Sequence, residues 1–313
     1  VGVQPVAIAE TDFAGLIKFA KEHAVAWTFV GPEDCLVDGI VDDFAAAGLK
    51  AFGPNARAAQ LEGSKDYALN FMNNYGVPTA RHASYRDQTA ALAEIDQFGF
   101  PLVIKENGLA GGKGVVIARD HATAVQTVKE MFASGHARLV LEECLVGPEY
   151  SMFVLLSNGH YRILPMAQDH KRAYDGDKGP NTGGMGAYSP LPPLSAVDRQ
   201  AMVDQVVVPT VNGLVAGGYH YHGILYIGLI MTATGPKVIE YNVRLGDPET
   251  QVILPRLQTD LFELVDRALN DQPLPEVVED PRASFGVVLA SQGYPQKPVH
   301  GQALGKFPTA AGV

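Results

Sequence analysis

The sequence has 313 residues, of which 47% are hydrophobic and 19% are charged, and this balance favours packed domains over disorder. The length suggests about two or three domains. The net charge of −10 argues against a broad basic surface for nucleic acid. An anionic substrate would therefore need a local cluster of lysine, arginine or backbone N–H groups.

The sequence carries no sign of membrane insertion or of disulfide chemistry. No apolar run reaches the ~18 residues of a membrane span, and the first residues resemble neither a signal peptide nor a transit peptide. Cys35 and Cys144 lack metal or redox spacing, so two reduced thiols in a cytoplasmic protein are the favoured interpretation. The sequence lacks an initial methionine and a terminating element, so we expect a fragment at both ends.

Strands and helices alternate over the first eighty residues. The pattern predicts helices over 12–23, 34–47 and 57–75, and strands over 26–30 and 50–52. This order is typical of a parallel sheet with crossover helices. Gly76-Val-Pro78 ends the third helix.

Two α+β units follow. Between 80 and 145 the pattern predicts strands near 101–105, 114–118 and 138–142, and helices near 87–98 and 121–133. Between 146 and 280 it predicts strands near 151–156, 161–166, 224–232 and 236–242, and helices near 196–216 and 260–270. A further strand is expected within 283–290.

A glycine-rich loop lies between two predicted strands at 103–115. The first strand carries Lys105 at its end, and four glycines surround Lys113 in the loop: Gly108, Gly111, Gly112 and Gly114. Glycines let backbone N–H groups approach phosphate oxygens, and lysines supply charge. The spacing fits neither the Walker A motif nor the Rossmann fingerprint. A plain β-hairpin turn is the alternative.

The apolar strand at 139–141 runs into two carboxylates, Glu142 and Glu143, and reaches Glu149 after a turn. Backbone groups just past such a strand can pair with the edge of an adenine. A carboxylate a few residues further on can accept ribose hydroxyls, as in other nucleotide folds. The alternative is a strand that ends in solvated acids.

A mixed-charge segment, Gln168-Asp-His-Lys-Arg172, precedes a second glycine-rich loop, Gly179-Pro-Asn-Thr-Gly-Gly-Met-Gly186. The basic pair can meet phosphate, and arginine can do so with two hydrogen bonds. The loop offers hydroxyl, amide and backbone donors, although a flexible surface loop is the alternative. A lone histidine is more often structural than catalytic, so His170 receives no acid–base role.

The strand at 236–242 has the most informative pattern. Alternation places Glu240, Asn242 and Arg244 on one face, which Val238 joins at its apolar start, and leaves the other face to Ile239, Tyr241, Val243 and Leu245. A carboxylate and an amide oxygen two residues apart suit Mg²⁺, which also takes phosphate oxygens. Arg244 can hold an anionic substrate and steady the charge of phosphoryl transfer. The alternative is a half-buried strand with one charged face.

In this order and spacing, the four segments resemble the ATP-grasp superfamily, in which a small lid and a larger subdomain clamp ATP between two antiparallel sheets. Six strings resemble the phosphoribosylamine–glycine ligase family in particular. They span nearly the whole sequence: Phe29-Val-Gly-Pro-Glu33, Gln60-Leu-Glu-Gly-Ser-Lys65, Asn107-Gly-Leu-Ala-Gly-Gly-Lys-Gly114, Gln168-Asp-His-Lys-Arg172, Pro180-Asn-Thr-Gly-Gly-Met-Gly-Ala-Tyr188 and Arg244-Leu-Gly-Asp-Pro-Glu-Thr-Gln251.

The resemblance implies a mixed α/β and α+β chain with an ATP-grasp fold. It divides the sequence into an N-terminal doubly wound (pre-ATP-grasp) domain at 1–82, a lid subdomain at 83–145, a large subdomain at 146–282 and the start of a C-terminal domain at 283–313. The first and last of these are expected to be incomplete.

The resemblance also implies a reaction in which ATP phosphorylates glycine and 5-phosphoribosylamine attacks the glycyl phosphate. The products are glycinamide ribonucleotide, ADP and phosphate, in cytoplasmic de novo purine synthesis. Mg²⁺ or Mn²⁺ is the expected metal, held by Glu240 and Asn242. Partners are expected to be small molecules, with neither nucleic acid nor membrane involved, and the oligomeric state stays open, a monomer being compatible with it.

The family pattern assigns further residues to roles. Catalytic roles fall to Lys105, Arg244 and Asp247. ATP contacts are expected from Lys65, Lys105, Gly112, Lys113, Glu142, Glu143, Leu145, Glu149, Arg172 and Asn181. Substrate contacts are expected from His170, Thr182, Gly183, Gly184, Arg244, Asp247 and Pro248.

Two competing functions stay open at this point. One is an ATP-grasp ligase that joins a different acid or amine, which a substrate screen scored by phosphate release would separate. The other is a nucleotide-binding module without catalysis. The joint presence of Lys105, Glu240, Asn242 and Arg244 argues against the second, because a module without catalysis should have lost at least one of them.

Overall fold

The structure is a computed structural model, and it describes residues 2–109, 114–176, 178–192 and 194–305. The predicted phosphate-binding residues Gly112 and Lys113 lie outside the described residues. In the described ranges, no helix is both long enough and apolar enough to cross a membrane. The helices are α1 (Phe13–Glu22), α2 (Glu33–Val37), α3 (Ile40–Ala46), α4 (Ala56–Gly63), α5 (Lys65–Tyr75), α6 (Gln88–Glu94), α7 (His121–Ala133), α8 (Ala196–Met202), α9 (Val208–Ala216), α10 (Thr250–Ile253) and α11 (Leu261–Leu269).

The strands form a central sheet, a lid sheet and two small sheets. The strands are β1 (Thr28–Phe29), β2 (Ala51–Pro54), β3 (His82–Tyr85), β4 (Leu102–Glu106), β5 (Val115–Ala118), β6 (Leu139–Glu143), β7 (Glu149–Ser157), β8 (His160–Ile163), β9 (Gln168–Asp169), β10 (Arg172–Tyr174), β11 (Lys178–Asn181), β12 (Gly186–Ser189), β13 (Tyr221–Thr232), β14 (Gly235–Asn242) and β15 (Ser284–Val287). The central sheet has the order β1-β2-β13-β7-β8, and β14 pairs with β13. The antiparallel lid sheet has the order β3-β6-β4-β5.

The N-terminal segment continues the central sheet. Its strands β1 and β2 pair in parallel, with Thr28 opposite Ala51, as the alternation of strands and helices predicts. Strand β2 then pairs antiparallel with β13, with Tyr221 opposite Pro54. The N-terminal helices are therefore fixed to the same sheet that carries β14.

Two helices that the sequence predicts as continuous are each divided in the structure. The segment 34–47 breaks between α2 and α3 at Gly39, whose φ of +94° lies in the left-handed region where glycine has no steric penalty. The segment 57–75 breaks at Ser64, whose backbone is extended. The Ser64 hydroxyl accepts a hydrogen bond from Tyr67 N at 3.2 Å and so begins α5 as its N-cap.

Side chains from alternate positions cover both faces of the central sheet. One core contains Val154 and Leu225, and the other contains Phe153 and Tyr226, as the period of two in a strand requires. The lid has a separate apolar core between its sheet and α6 and α7. Because the central sheet is packed on both faces, the backbone that carries the polar residues of β14 is held rigidly.

A β-bulge at Ile239 changes the predicted alternation of β14. Glu240 pairs with Gly228 and Asn242 with Tyr226, but Val238 pairs with Leu229, so Ile239 is an extra residue in the ladder. An extra residue shifts the side chains before it to the other face. The placement of Val238 with Glu240 is therefore wrong. Val238 lies in the core with Tyr241 and Val243, whereas Leu245 packs against the second core.

Candidate nucleotide and metal site

A buried ion pair of the lid contacts the central sheet. The Lys105 ammonium lies 2.8 Å from Glu142 Oε2, and both side chains are almost fully buried. The same ammonium donates to the carbonyl oxygen of Ile239 at 3.1 Å. Strands β4 and β6 are neighbours in the lid sheet, so the pair sits where the lid faces β14. Removing one partner of such a pair leaves an uncompensated charge, which costs several kcal/mol.

Glu240 lies beside this ion pair, near the C-terminal end of β14. The opposite residue is Gly228, and a Cβ atom there would lie 3.4 Å from Glu240 Cγ. Burial raises the pKa of the Glu240 carboxyl, but Lys171, Lys105, Lys65 and Arg244 outweigh it, so the pKa is below its ordinary value. Glu240 is therefore an ionised, partly exposed oxygen donor, with 36% of its side chain accessible.

Asn242 presents both of its amide atoms at the site. Its Oδ1 accepts a hydrogen bond from Arg244 Nη2 at 3.2 Å. Its Nδ2 is buried and has no hydrogen-bond partner among the described residues. A buried donor without an acceptor costs free energy, so the site is suited to a ligand that supplies an oxygen.

The donor set fits a metal ion that is shared with phosphate. Within the described ranges no group of three or more His, Cys, Asp and Glu residues could hold a metal ion by itself. Mg²⁺ commonly takes one or two protein carboxylates and completes its shell with water and phosphate oxygens. The Glu240 carboxylate and the Asn242 amide oxygen match that requirement.

Arg244 lies next to Asn242 and is surrounded by acceptors. Its Nε donates to Glu33 Oε2 at 3.2 Å, and its Nη1 donates to the carbonyl oxygen of Leu245 at 3.2 Å. Its Nη2 lies 3.1 Å from Glu62 Oε1. Burial raises the pKa of Glu62 to about 7, although Arg244 and the Val243 N–H both act to lower it. Sequence reasoning missed both glutamates as functional residues.

Sequence reasoning placed Lys171 in a basic pair that can meet phosphate, but it did not foresee the ion pairs of Lys171 with Asp169 and Glu240. The Lys171 ammonium lies 3.6 Å from Asp169 Oδ2 and 4.0 Å from Glu240 Oε1. Burial lowers the pKa of Lys171, but Glu240 and Asp169 raise it more, so it lies above its ordinary value. Asp169 ends β9 and Lys171 lies just before β10, so strand alternation does not relate their side chains.

The two carboxylates of the Gly246-Asp-Pro-Glu-Thr turn have different environments. Asp247 is exposed and accepts a hydrogen bond from Gln251 Nε2 at 2.7 Å. Glu249 is buried and accepts from Ser151 Oγ at 3.1 Å and from Tyr226 OH at 2.9 Å. Burial and then Asp169 raise the pKa of Glu249. Glu249 thus lies in the interior next to the site, whereas Asp247 lies at the protein surface.

The second glycine-rich loop packs onto this turn through Gly184 and Pro248. Gly184 has a φ of +132°, and a Cβ atom there would lie 2.4 Å from Pro248 Cδ. Thr182 shapes the loop, because its hydroxyl donates to the carbonyl oxygen of Lys171 at 2.9 Å and accepts from Gly184 N at 3.1 Å. Gly183 is exposed. The structure therefore brings together the predicted substrate residues of both segments.

The side chains of His170 and Arg172 contact β12 and the second glycine-rich loop rather than the carboxylates described above. His170 is exposed and its ring stacks on Tyr188, with 5.7 Å between centroids. Arg172 Nη1 donates to the carbonyl oxygen of Gly179 at 2.9 Å, and Arg172 faces Asn181 across the β10–β11 hairpin. The predicted ATP and substrate roles of these residues stay predictions.

The remaining predicted ATP residues lie at the start of α5, in the lid strand β6 and between β6 and the start of β7. The Lys65 ammonium donates to the carbonyl oxygen of Gly108 at 2.8 Å, and burial lowers its pKa. Glu143 accepts from Arg81 N and from Lys237 Nζ, each at 3.0 Å. Leu145 is half-buried in the turn after β6, and Glu149 begins β7 with its carbonyl oxygen accepting from Gln168 Nε2 at 2.9 Å.

A lid of antiparallel strands facing a larger, mostly antiparallel sheet, with Lys105 on the lid and a carboxylate–amide pair on the sheet, defines an ATP-grasp protein. Two family models match this chain. The N domain of phosphoribosylglycinamide synthetase matches residues 2–62, and the ATP-grasp (A) domain of the same family matches residues 63–250. The chain belongs to the phosphoribosylglycinamide synthetase family.

Curated relatives carry the name phosphoribosylamine–glycine ligase. The Streptococcus pneumoniae protein is 51% identical over 301 residues, which cover 94% of this chain and 71% of that protein. A Listeria monocytogenes protein is 48% identical over 299 residues, with the same two coverages. These identities agree with the family assignment over most of the chain.

Solved structures support the same fold. The phosphoribosylamine–glycine ligase of Thermotoga maritima superposes with a TM-score of 0.75 at 36% identity, covering 80% of this chain and 64% of that one. A biotin carboxylase from Campylobacter jejuni superposes with a TM-score of 0.73 at 18% identity, covering 92% of this chain and 64% of that one. The second likeness shows the fold alone.

Proposed function

We propose that this chain catalyses the ATP-dependent joining of glycine to 5-phosphoribosylamine, giving glycinamide ribonucleotide, ADP and phosphate. The observation that carries the proposal is the placement of Glu240 and Asn242 beside the Lys105–Glu142 ion pair, at the facing surfaces of lid and sheet. The relatives that bear this ligase name add support, since they share about half of their residues with this chain.

The chemistry needs activation of a poor electrophile. The glycine carboxylate attacks the γ-phosphorus of ATP, the bond to the β-phosphate oxygen breaks, and ADP leaves. The amine of 5-phosphoribosylamine then attacks the carbonyl carbon of glycyl phosphate, loses a proton and expels phosphate. Negative charge accumulates on the transferring phosphoryl group, so fixed cations and oriented donors are the main requirement of the site.

Residues of the lid, of the central sheet and of the segments next to them would supply these requirements. We assign Lys105 and Lys65 to the ATP phosphates, and Glu142 to Glu149 to the nucleoside end. Glu240 and Asn242 would hold Mg²⁺ or Mn²⁺, which offsets charge on the phosphate oxygens when bound. Arg244 would offer an N–H of its guanidinium to the glycyl carboxylate or the phosphoryl group, and Asp247 would act from the outer rim of the site.

The test is ADP formation by the complete protein in the presence of ATP, Mg²⁺, glycine and 5-phosphoribosylamine. ADP release should require both glycine and the amine, and omission of either should reduce it to background. Alanine and serine in place of glycine serve as controls for a ligase of another acid. ADP formation that is independent of glycine would refute the assignment. Cell fractionation tests the accompanying proposal of a cytoplasmic location, and size-exclusion chromatography determines the oligomeric state, which the proposal leaves open.

A further inference from the structure

Arg244 forms ion pairs with two glutamates of the N-terminal segment. Glu33 is the first residue of α2, and Glu62 is the penultimate residue of α4. These two helices pack closely together, because a Cβ atom added to Gly63 would lie only 3.0 Å from Val37 Cγ2. Glu33 is 211 residues away from Arg244 in the sequence, and Glu62 is 181 residues away from Val243.

We propose that Glu62 and Glu33 are positioning residues that hold the Arg244 guanidinium in its working orientation. The inference rests on the proposed function, because it deepens the role given there to Arg244. It gives a positioning role to Glu33 and Glu62, two residues of the strings Phe29-Val-Gly-Pro-Glu33 and Gln60-Leu-Glu-Gly-Ser-Lys65 to which the proposed function assigns no substrate contact.

Glu62 fixes both the side chain and the backbone of this segment. Its Oε2 accepts from Val243 N at 2.6 Å, and its Oε1 lies 3.1 Å from Arg244 Nη2. Only 7% of the Glu62 side chain is exposed. Val243 lies between Asn242 and Arg244 in the chain. One carboxyl group therefore sets the direction of the strand end and the rotation of the guanidinium.

Glu33 contacts a different nitrogen of the guanidinium. It accepts from Nε at 3.2 Å, whereas Glu62 and Asn242 contact Nη2 and the carbonyl oxygen of Leu245 accepts from Nη1. Among the described residues these contacts engage four of the five N–H donors, which leaves one N–H of Nη1 with its direction fixed by the others. An ammonium cannot make the same set of contacts.

The first experiment compares Glu62→Gln and Glu33→Gln with a matched control, Glu22→Gln. Glu22 is an exposed surface glutamate paired with Lys18. Loss of a supporting partner typically costs 10–100-fold in activity, so we expect kcat to fall by about that factor in both variants. The KM for ATP should stay within about threefold, and Glu22→Gln should match the unaltered protein.

The second experiment is chemical rescue. Methylguanidinium at non-denaturing concentrations should restore part of the activity of Arg244→Ala, because the two carboxylates form a ready-made cradle for it. Rescue should disappear in Arg244→Ala/Glu62→Gln and in Arg244→Ala/Glu33→Gln. A purely structural role for the glutamates would lower stability without abolishing rescue. If Glu62→Gln does not fold, the more exposed Glu33 gives the same test.

The outcomes separate the two levels of inference. Normal turnover by Arg244→Ala would remove the role of Arg244 in the proposed function. A strong loss in Arg244→Ala, with Glu62→Gln and Glu33→Gln indistinguishable from Glu22→Gln, would overturn only the positioning role. Equal rescue with and without the glutamates would overturn it as well.

Discussion

The ring of Pro248 occupies the space that a side chain on Gly184 would need, with 2.4 Å between its Cδ atom and the position of a Cβ atom there. Gly184 also has a φ of +132°, which L side chains rarely adopt. The second glycine-rich loop and the Asp247–Pro248 turn can therefore meet only through a residue without a side chain.

Replacement of Gly184 by alanine should separate these two segments. We expect Gly184→Ala to lower the free energy of unfolding by more than about 1 kcal/mol, because alanine is incompatible with this backbone conformation, and to raise the KM for glycine or the amine. Gly183→Ala is the matched control for stability, since Gly183 is exposed and the nearest atom to an added Cβ would be 3.9 Å away. Denaturant unfolding and steady-state kinetics measure the two effects, and equal stability of the two variants would contradict the prediction.

Disruption of the buried Lys105–Glu142 pair should be costly. Lys105→Met leaves the Glu142 carboxylate buried without its partner, so we expect a loss of about 3–5 kcal/mol in the free energy of unfolding. The double variant Lys105→Met/Glu142→Leu should recover much of that loss while remaining inactive. Lys237→Ala, which breaks the more exposed pair with Glu143, should cost about 0–1 kcal/mol. Urea titrations of the four proteins decide the matter.

Removal of the Glu240 carboxylate should abolish turnover without unfolding the protein. Glu240→Ala deletes one of two proposed metal contacts, so activity should fall to background at ordinary Mg²⁺, as it should for the unaltered protein after chelation. Circular dichroism checks that the fold is retained, and Glu263→Ala, a change in an exposed helical pair, is the control. Near-normal activity of Glu240→Ala across a Mg²⁺ titration would sink the assignment.

Arg244→Lys should separate binding from chemistry. The loss of one oriented donor to a developing charge typically costs about 10²–10³ in rate, and a point charge cannot span the acceptors around the guanidinium. ATP-analogue affinity should change by no more than a few-fold, because Arg244 lies at the reacting end. Calorimetric binding beside turnover tests this. A parallel collapse of both quantities would place Arg244 at the nucleotide instead.

Local pattern was a good guide to the site wherever a single strand decided the outcome. Alternation correctly placed Glu240 and Asn242 on one face, and it failed at Val238 because an extra residue in a ladder leaves no compositional mark. It could not reveal Glu33 or Glu62, whose contacts with Arg244 and Val243 depend on how distant helices pack. For Lys171 the sequence indicated only a basic pair able to meet phosphate, because its ion pairs with Asp169 and Glu240 depend on how the segment before β10 packs against β14.

The bulge at Ile239 adds a residue that the ladder itself does not need. Without Ile239, Val238 and Glu240 would be consecutive and would still point to opposite faces of a regular strand. The extra residue instead presents its carbonyl oxygen to Lys105. Glu240 is the next residue in the chain, so the contact with the lid and the proposed metal contact share one stretch of backbone. The bulge thus fastens the lid strand β4 directly to the strand that carries Glu240.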